Sequence, residues 1–159
     1  MVDKATMSAA YRSDFYAWAD EQAELARSRS ANRLDWDNVA EELDGLARQQ
    51  EWELYNRYVV LLTHLLKWML QPEQRGASWE GTIRVQRRDV GKLFKRAPSL
   101  KSSDEEEFGE AYQTARAKAF GETGLPLDTF PVEPPFTSEQ ARHPDFWPDP
   151  VTADNGRIS

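Results

Sequence analysis

Basic side chains concentrate between residues 75 and 101, and a basic strip along a helix is suited to holding phosphate groups. The segment has eight Lys and Arg against two acids, a local balance of +6. At about 100° per residue, several of these cations share one face. The alternative is a solvated face balanced by acids elsewhere, since the net charge of −7 leaves −13 for the rest of the chain. The predicted binding residues on and beside this strip are His64, Lys67, Trp79, Arg84, Arg87, Arg88 and Lys95.

His64 is the only histidine that falls within a predicted helix. A helical metal site would need a carboxylate or a second histidine three or four residues away. The residues at those distances are Val60, Leu61, Lys67 and Trp68, and none of them is a usual metal ligand. The spacing therefore favours a hydrogen-bonded histidine at a helix interface, and no metal site is predicted.

A dense group of carboxylates precedes and opens the central predicted helix. Paired carboxylates can bind a metal or exchange protons, but they also favour the positive end of a helix. No ExxH motif, glycine-rich phosphate loop or GxSxG motif accompanies them. We predict no catalytic residue and no cofactor, and whether the chain is an enzyme stays open. The carboxylates are Asp35, Asp37, Glu41, Glu42 and Asp44.

Composition limits the remaining classes of function. The chain has 159 residues and no cysteine, which excludes disulfides, thiolate metal sites and a cysteine nucleophile. Its acidic balance disfavours non-specific binding of nucleic acid or membranes by the whole surface. The N-terminal sequence has no apolar signal-peptide core, so we expect a cytoplasmic protein.

The helices that would position these residues are predicted from apolar periodicity. The central one runs from Trp36 to Leu70, begins after Asp35, and is apolar nearly all round from Tyr58 onward. That stretch is too short to span a bilayer and indicates a buried core helix. Flanking helices are predicted over residues 14–26, 78–97 and 102–123, with Ser13, Ser78 and Ser102 or Ser103 as N-caps and Gly124 as a left-handed C-terminal residue.

The segment after residue 125 combines seven prolines with four large aromatic residues. Proline forbids a long helix, while the aromatics are too apolar for a free tail. We expect an extended segment docked on the helices, with one helical turn near Ser138 to Arg142. The predicted organisation is a frayed N-terminus over residues 1–12, a single helical domain over 13–150 and a disordered tail over 151–159.

Seven short sequence blocks carry a resemblance to a known family. They are DFYAW at 14–18, LDWDNVAEEL at 34–43, HLLKW at 64–68, SW at 78–79, PSL at 98–100, ETGL at 122–125 and FWP at 146–148. In this order and spacing the chain, from about residue 11 to 148, resembles the bacterial family known as domain of unknown function number twenty-nine. The resemblance implies an all-helical domain and no particular reaction. Pro134 stands where the family's Cys-Pro pair would begin, so any role of that thiol is absent here.

These observations predict an all-α bundle of about four main helices, with a long central helix 2 and a proline- and aromatic-rich C-terminal segment wrapped over it. Six tryptophans and the long helix favour a non-enzymatic domain for protein interaction or self-association. The expected partner is the chain itself or another protein, and no membrane. The alternative is a nucleic-acid or nucleotide-associated protein that uses the basic strip.

Overall fold

The computed structural model describes residues 4–151, and all regular secondary structure in this part of the chain is helical, with no strand. Six α-helices occur there, and four of them are long, which confirms the all-α prediction. The predicted disordered tail concerns residues that, apart from Val151, lie outside the described range. The helices are α1 (Lys4–Ser13), α2 (Phe15–Arg27), α3 (Trp36–Leu70), α4 (Ala77–Arg96), α5 (Asp104–Thr123) and α6 (Ser138–Arg142).

Two compact units divide the chain, Met1–Gln49 and Gln50–Ser159. Helix α3 contributes its first part to the N-terminal unit and the rest to the C-terminal unit. A compact unit need not fold alone, so the single domain over residues 13–150 stays a prediction. Over residues 4–151, no helix is both long enough and apolar enough to cross a bilayer.

The N-terminal unit consists of α1, α2 and the start of α3. Helix α1 occupies a stretch that the sequence predicted to be frayed. The ring of its Tyr11 packs edge-on against Trp18, with 4.7 Å between ring centroids. Because α1 runs to Ser13, that residue does not cap α2 as predicted. Asp14 caps it instead, with Oδ1 accepting a hydrogen bond from the Ala17 N–H at 3.0 Å.

The second part of α3 is the core of the C-terminal unit. Its buried residues cover about 200° of the helix circumference, a wider face than the single stripe of a surface helix. Helix α4 packs on it through Ile83, Val90, Leu93 and Phe94, and α5 through residues that include small alanines. The fully buried α3 side chains are Leu54, Tyr58, Leu61, Leu62, Leu65 and Leu66.

Three helix ends show how local sequence sets the boundaries. Helix α4 begins after Gly76, so its N-cap lies two residues before the predicted Ser78. Ser103 occupies the N-cap position of α5, as one of the two predicted alternatives, but its side chain makes no capping hydrogen bond. Gly124 ends α5 in the left-handed conformation (φ 69°), and its N–H donates to the Phe120 carbonyl at 3.0 Å, as predicted.

The proline-rich segment after Gly124 contributes to the core of the C-terminal unit. Phe130 and Phe136 are 1% and 5% exposed. The Tyr112 hydroxyl donates to the Pro131 carbonyl at 2.6 Å, and Arg116 Nε donates to the Phe130 carbonyl at 3.0 Å. The segment is therefore held by side chains of α5 that satisfy its backbone carbonyls. Its one α-helix, α6, has the predicted bounds.

Candidate functional site

The predicted basic strip lies on α4, but most of its arginines are paired within the protein. Arg84 Nη2 lies 2.7 Å from Glu80 Oε1, and Arg88 Nε lies 3.2 Å from Asp89 Oδ1. Side chains held by nearby carboxylates have less charge to offer a phosphate. Lys95 and the adjacent Lys92 are exposed and make no ion pair with the described part of the chain. On the exposed face of α4, the basic residues that have no ion pair with the described part of the chain are therefore Lys92 and Lys95.

Arg87 is the member of the strip that the structure places differently. It is 7% exposed, so its expected position on a solvated face is wrong. Its guanidinium donates to the backbone carbonyls of Ala141, Pro144 and Phe146, at 2.8, 3.3 and 2.6 Å. Burial, with a contribution from Arg84, lowers the pKa of Arg87 to about 10. The side chain stays charged at neutral pH and anchors the C-terminal segment.

Lys67 and Trp79, two of the predicted binding residues, contact each other on neighbouring helices. Lys67 Nζ lies 4.7 Å from the centroid of the Trp79 ring and 3.0 Å from Glu122 Oε2. The cation therefore has an aromatic and an acidic partner already. This arrangement links the end of α3 to α4 and α5, and it leaves little free charge for an anionic ligand.

His64 makes the structural contact that its spacing favoured. Its Nδ1 lies 2.8 Å from the Val60 carbonyl, one turn earlier on the same helix. An Nδ1–H would donate to that oxygen. The ring is partly buried, and burial lowers the pKa of His64 below its ordinary value. Among the described residues, no group of three or more potential side-chain ligands could hold a metal ion.

Asp104 forms a buried polar centre that the sequence did not reveal. One oxygen accepts a hydrogen bond from the Tyr58 hydroxyl, and the other accepts from Ser138 Oγ at 2.8 Å and Arg142 Nη2 at 3.3 Å. Burial and the neighbouring carboxylate raise the pKa of Tyr58 well above its ordinary range. These bonds tie α3, α5 and α6 together, although Arg142 Nε is buried without a hydrogen-bond partner in the described part of the chain. In the sequence, the only feature that pointed to this centre was the cluster of acids at the start of α5.

Two of the predicted carboxylates near the start of α3 accept hydrogen bonds within the N-terminal unit. Asp35 is buried and accepts hydrogen bonds from Trp18 Nε1 at 3.1 Å and Asn38 Nδ2 at 2.8 Å, while its own N–H donates to Gln22 Oε1 at 2.8 Å. Glu42 accepts from the Tyr11 hydroxyl. These bonds join α1, α2 and α3 within the N-terminal unit. They use the carboxylates as structural acceptors.

An apolar groove lies beside these carboxylates, between α2 and the start of α3. Its cavity volume is about 740 Å³. The sequence assigned several of its side chains to a buried stripe of the central helix, and the structure leaves four of the lining residues 50–61% exposed. These residues have the same apolar types and helical spacing as core residues and differ from them only in exposure. Periodicity in the sequence does not predict exposure. The main apolar lining residues are Phe15, Trp18, Trp36, Val39, Leu43 and Leu46.

Charged residues of α3 lie largely away from this groove. At about 100° per residue, Glu41 and Asp37 lie about 160° and 120° around the helix from Leu43, and Asp44 lies about 100° from it. The groove itself includes one acid, Glu42, and one base, Arg29. The N-terminal unit thus has an apolar face that is nearly free of net charge.

Comparison with protein families finds a match over most of the chain. The family described as Domain of unknown function DUF29 matches residues 10–147. No curated protein matches the chain, and no solved structure does.

Proposed function

The chain belongs to the DUF29 family, and on that premise we propose that it is a protein-interaction domain that binds its partner through the apolar groove of the N-terminal unit. The observation that carries this proposal is the exposure of Phe15, Trp36, Leu43 and Leu46, each at 50–61%, along one face. Scattered exposed leucines are ordinary in monomers. A contiguous set that includes two aromatic rings is a feature of binding surfaces.

The size of the exposed face supports a protein partner. Its four most exposed side chains leave on the order of 400 Å² of apolar surface in water. At about 25 cal/mol per Å², covering that surface is worth on the order of 10 kcal/mol before the cost of association is subtracted. Trp36 is a residue type that frequently dominates binding energy at interfaces. The acids on the far side of α3 would remain in water when the groove is covered.

The alternative function is association with nucleic acid or nucleotides through α4. The observation in its favour is that Lys92, Lys95 and Arg88 are exposed and share one side of the helix. Binding through phosphates should weaken steeply as salt concentration rises, whereas binding through the apolar groove should not. A salt titration of single-stranded DNA binding, compared between the wild type and Lys92→Glu/Lys95→Glu, tests this alternative. A salt-independent result, or equal binding by both proteins, would reject it.

Site-specific photo-crosslinking tests the groove. A photoreactive amino acid replaces Leu43, which lies in the groove, or Leu127, a similarly exposed leucine of the C-terminal unit. We expect a discrete adduct, with the chain itself or with another protein, from position 43 only. The adduct should form again with purified components and should disappear when Leu46→Glu is added. Equal adduct patterns at the two positions would reject the proposed function.

A further inference from the structure

We propose that the occupant of the groove is the same groove on a second copy of this chain, in a two-fold symmetric dimer. The inference rests on the proposed function and names its partner. A two-fold interface requires a surface that complements itself, so that residue i of one copy meets residue j of the other and j meets i. The groove has one cation, Arg29, and one anion, Glu42, at different positions along its length, and such symmetry can pair each with the other across the interface.

Two hydrogen bonds help to locate the charged residues along the groove. At one end the chain leaves α2, and the Trp36 indole N–H donates to the Ala31 carbonyl at 2.9 Å. Arg29 belongs to this end, in the link between α2 and α3. Further along α3, about 9 Å from Trp36, Glu42 accepts a hydrogen bond from the Tyr11 hydroxyl. The cation and the anion therefore lie at different positions along the groove, with Arg29 before the start of α3 and Glu42 within it.

A two-fold axis that crosses the groove midway between Arg29 and Glu42 brings each Arg29 to the partner's Glu42. The arrangement creates two opposite-charge pairs around an apolar centre, which is the usual distribution in specific interfaces. Arg29 makes no ion pair with any described residue, so the contact would use a cation that is otherwise unmatched. Its backbone, at φ 57°, holds it in a fixed turn beside the groove. The acids on the opposite side of α3 would not meet each other.

The available area is consistent with a dimer of modest size. The groove extends about 15 Å along α3, from Trp36 to Leu46. Its most exposed apolar side chains contribute on the order of 400 Å², against about 800 Å² per partner in a standard stable interface. The remainder would come from the polar rim and from Tyr16, which is 83% exposed next to Phe15. The expected dimer is therefore reversible and dependent on concentration.

Sedimentation equilibrium of the full chain tests the dimer over a range of concentrations. The wild type should approach the dimer mass as concentration rises. Leu43→Glu should raise the dissociation constant about a hundredfold, because it places a charge in the apolar centre. Leu127→Glu, the matched change outside the groove, should leave it unchanged. Far-ultraviolet circular dichroism of each variant checks that the helices persist.

Charge reversal tests the two-fold pairing itself. Arg29→Glu alone and Glu42→Arg alone each create two like-charge contacts and should weaken self-association about tenfold. Mixing the two variants should restore association as a heterodimer, since both pairs then have opposite charges. Recovery on mixing cannot arise from a fold defect in either variant. No recovery, with Leu43→Glu still disruptive, would overturn the two-fold arrangement.

The outcomes separate this inference from the proposed function. A wild type that stays monomeric at all concentrations, while Leu43 crosslinks to a different protein, overturns the dimer and leaves the proposed function standing. A monomeric protein with no groove-specific adduct rejects both. A wild type and a Leu43→Glu variant of equal dissociation constant would show that self-association uses another surface and would overturn the inference.

Discussion

Replacing Arg87 with methionine should release the C-terminal segment from α4. The methionine keeps an unbranched apolar stem and removes the guanidinium. Three carbonyls, at residues 141, 144 and 146, lose the donors that hold them at 2.6–3.3 Å. The Trp147 ring also loses a cation whose guanidinium carbon lies 5.2 Å from its centroid.

The magnitude follows from opposing contributions. Hydrogen bonds from a charged donor contribute about 1.5–3 kcal/mol each when one partner would otherwise be left buried and unpaired. Two of the three bonds are only partly buried, so water can replace part of the loss. The variant also avoids the cost of burying the guanidinium, which the lowered pKa of Arg87 reflects. We expect a net loss of about 3 kcal/mol in the free energy of unfolding.

Urea and thermal unfolding, followed by circular dichroism, measure this loss. At about 2–4 °C per kcal/mol for a chain of this size, the midpoint should fall by about 6–12 °C. Arg88→Met is the matched control, because Arg88 is the next residue on α4, is exposed, and pairs only with its neighbour Asp89. It should change stability by no more than about 0.5 kcal/mol. Amide hydrogen exchange should accelerate in residues 138–147 of Arg87→Met alone.

Equal stability of Arg87→Met and Arg88→Met would refute the reasoning. So would unchanged exchange in residues 138–147 with a lower midpoint, because the loss would then arise elsewhere in the protein. Arg87→Lys adds a further test. It keeps the charge but cannot span three carbonyls, so its stability should lie between those of the wild type and Arg87→Met.

Asp104→Ala should lower the free energy of unfolding by about 3 kcal/mol, because it leaves the buried Tyr58 hydroxyl without an acceptor. In a double-mutant cycle measured by urea unfolding, the double variant Asp104→Ala/Tyr58→Phe should lose less than the sum of the two single losses. Burial lowers the pKa of His64 below its ordinary 6.5. As pH falls, His64 therefore takes up a proton at a higher pH in the unfolded chain than in the folded chain. The wild type should therefore lose stability below about pH 6.5 relative to His64→Gln, and the same slope in both proteins would contradict this. Truncation after Gly124 removes two buried phenylalanines worth about 1.5–3 kcal/mol each and should lower the melting temperature or cause aggregation; an unchanged, soluble product would show that the segment is dispensable.

Features that depend on neighbours in the chain were predictable from the sequence. Helix α3 has the predicted bounds of Trp36 and Leu70, because an unbroken apolar period and the absence of proline act locally. Gly124 adopts the left-handed conformation for a local steric reason. The N-caps of α2 and α4 were not predicted correctly. Ser13, Asp14 and Ser78 all have side chains suited to capping, and where each helix begins depends on the residues before it.

The candidate site depended on contacts between elements distant in sequence. A helical wheel groups Arg87 with Arg84 and Arg88, yet only docking of the C-terminal segment decides that Arg87 is buried and the others are exposed. In the same way, periodicity identifies the apolar side of α3 along its whole length. It does not tell whether another helix covers that side.

The sequence by itself therefore determined that this protein is helical, where its long helix begins and ends, and which face of that helix is apolar. The tertiary structure decided that Leu61 and Leu65 are in a core while Leu43 and Leu46, on the same helix, are exposed in a groove. The physical reason is that side-chain hydrophobicity and helical period are properties of the local chain. Burial is a property of what packs against it, and that requires residues far apart in sequence to meet.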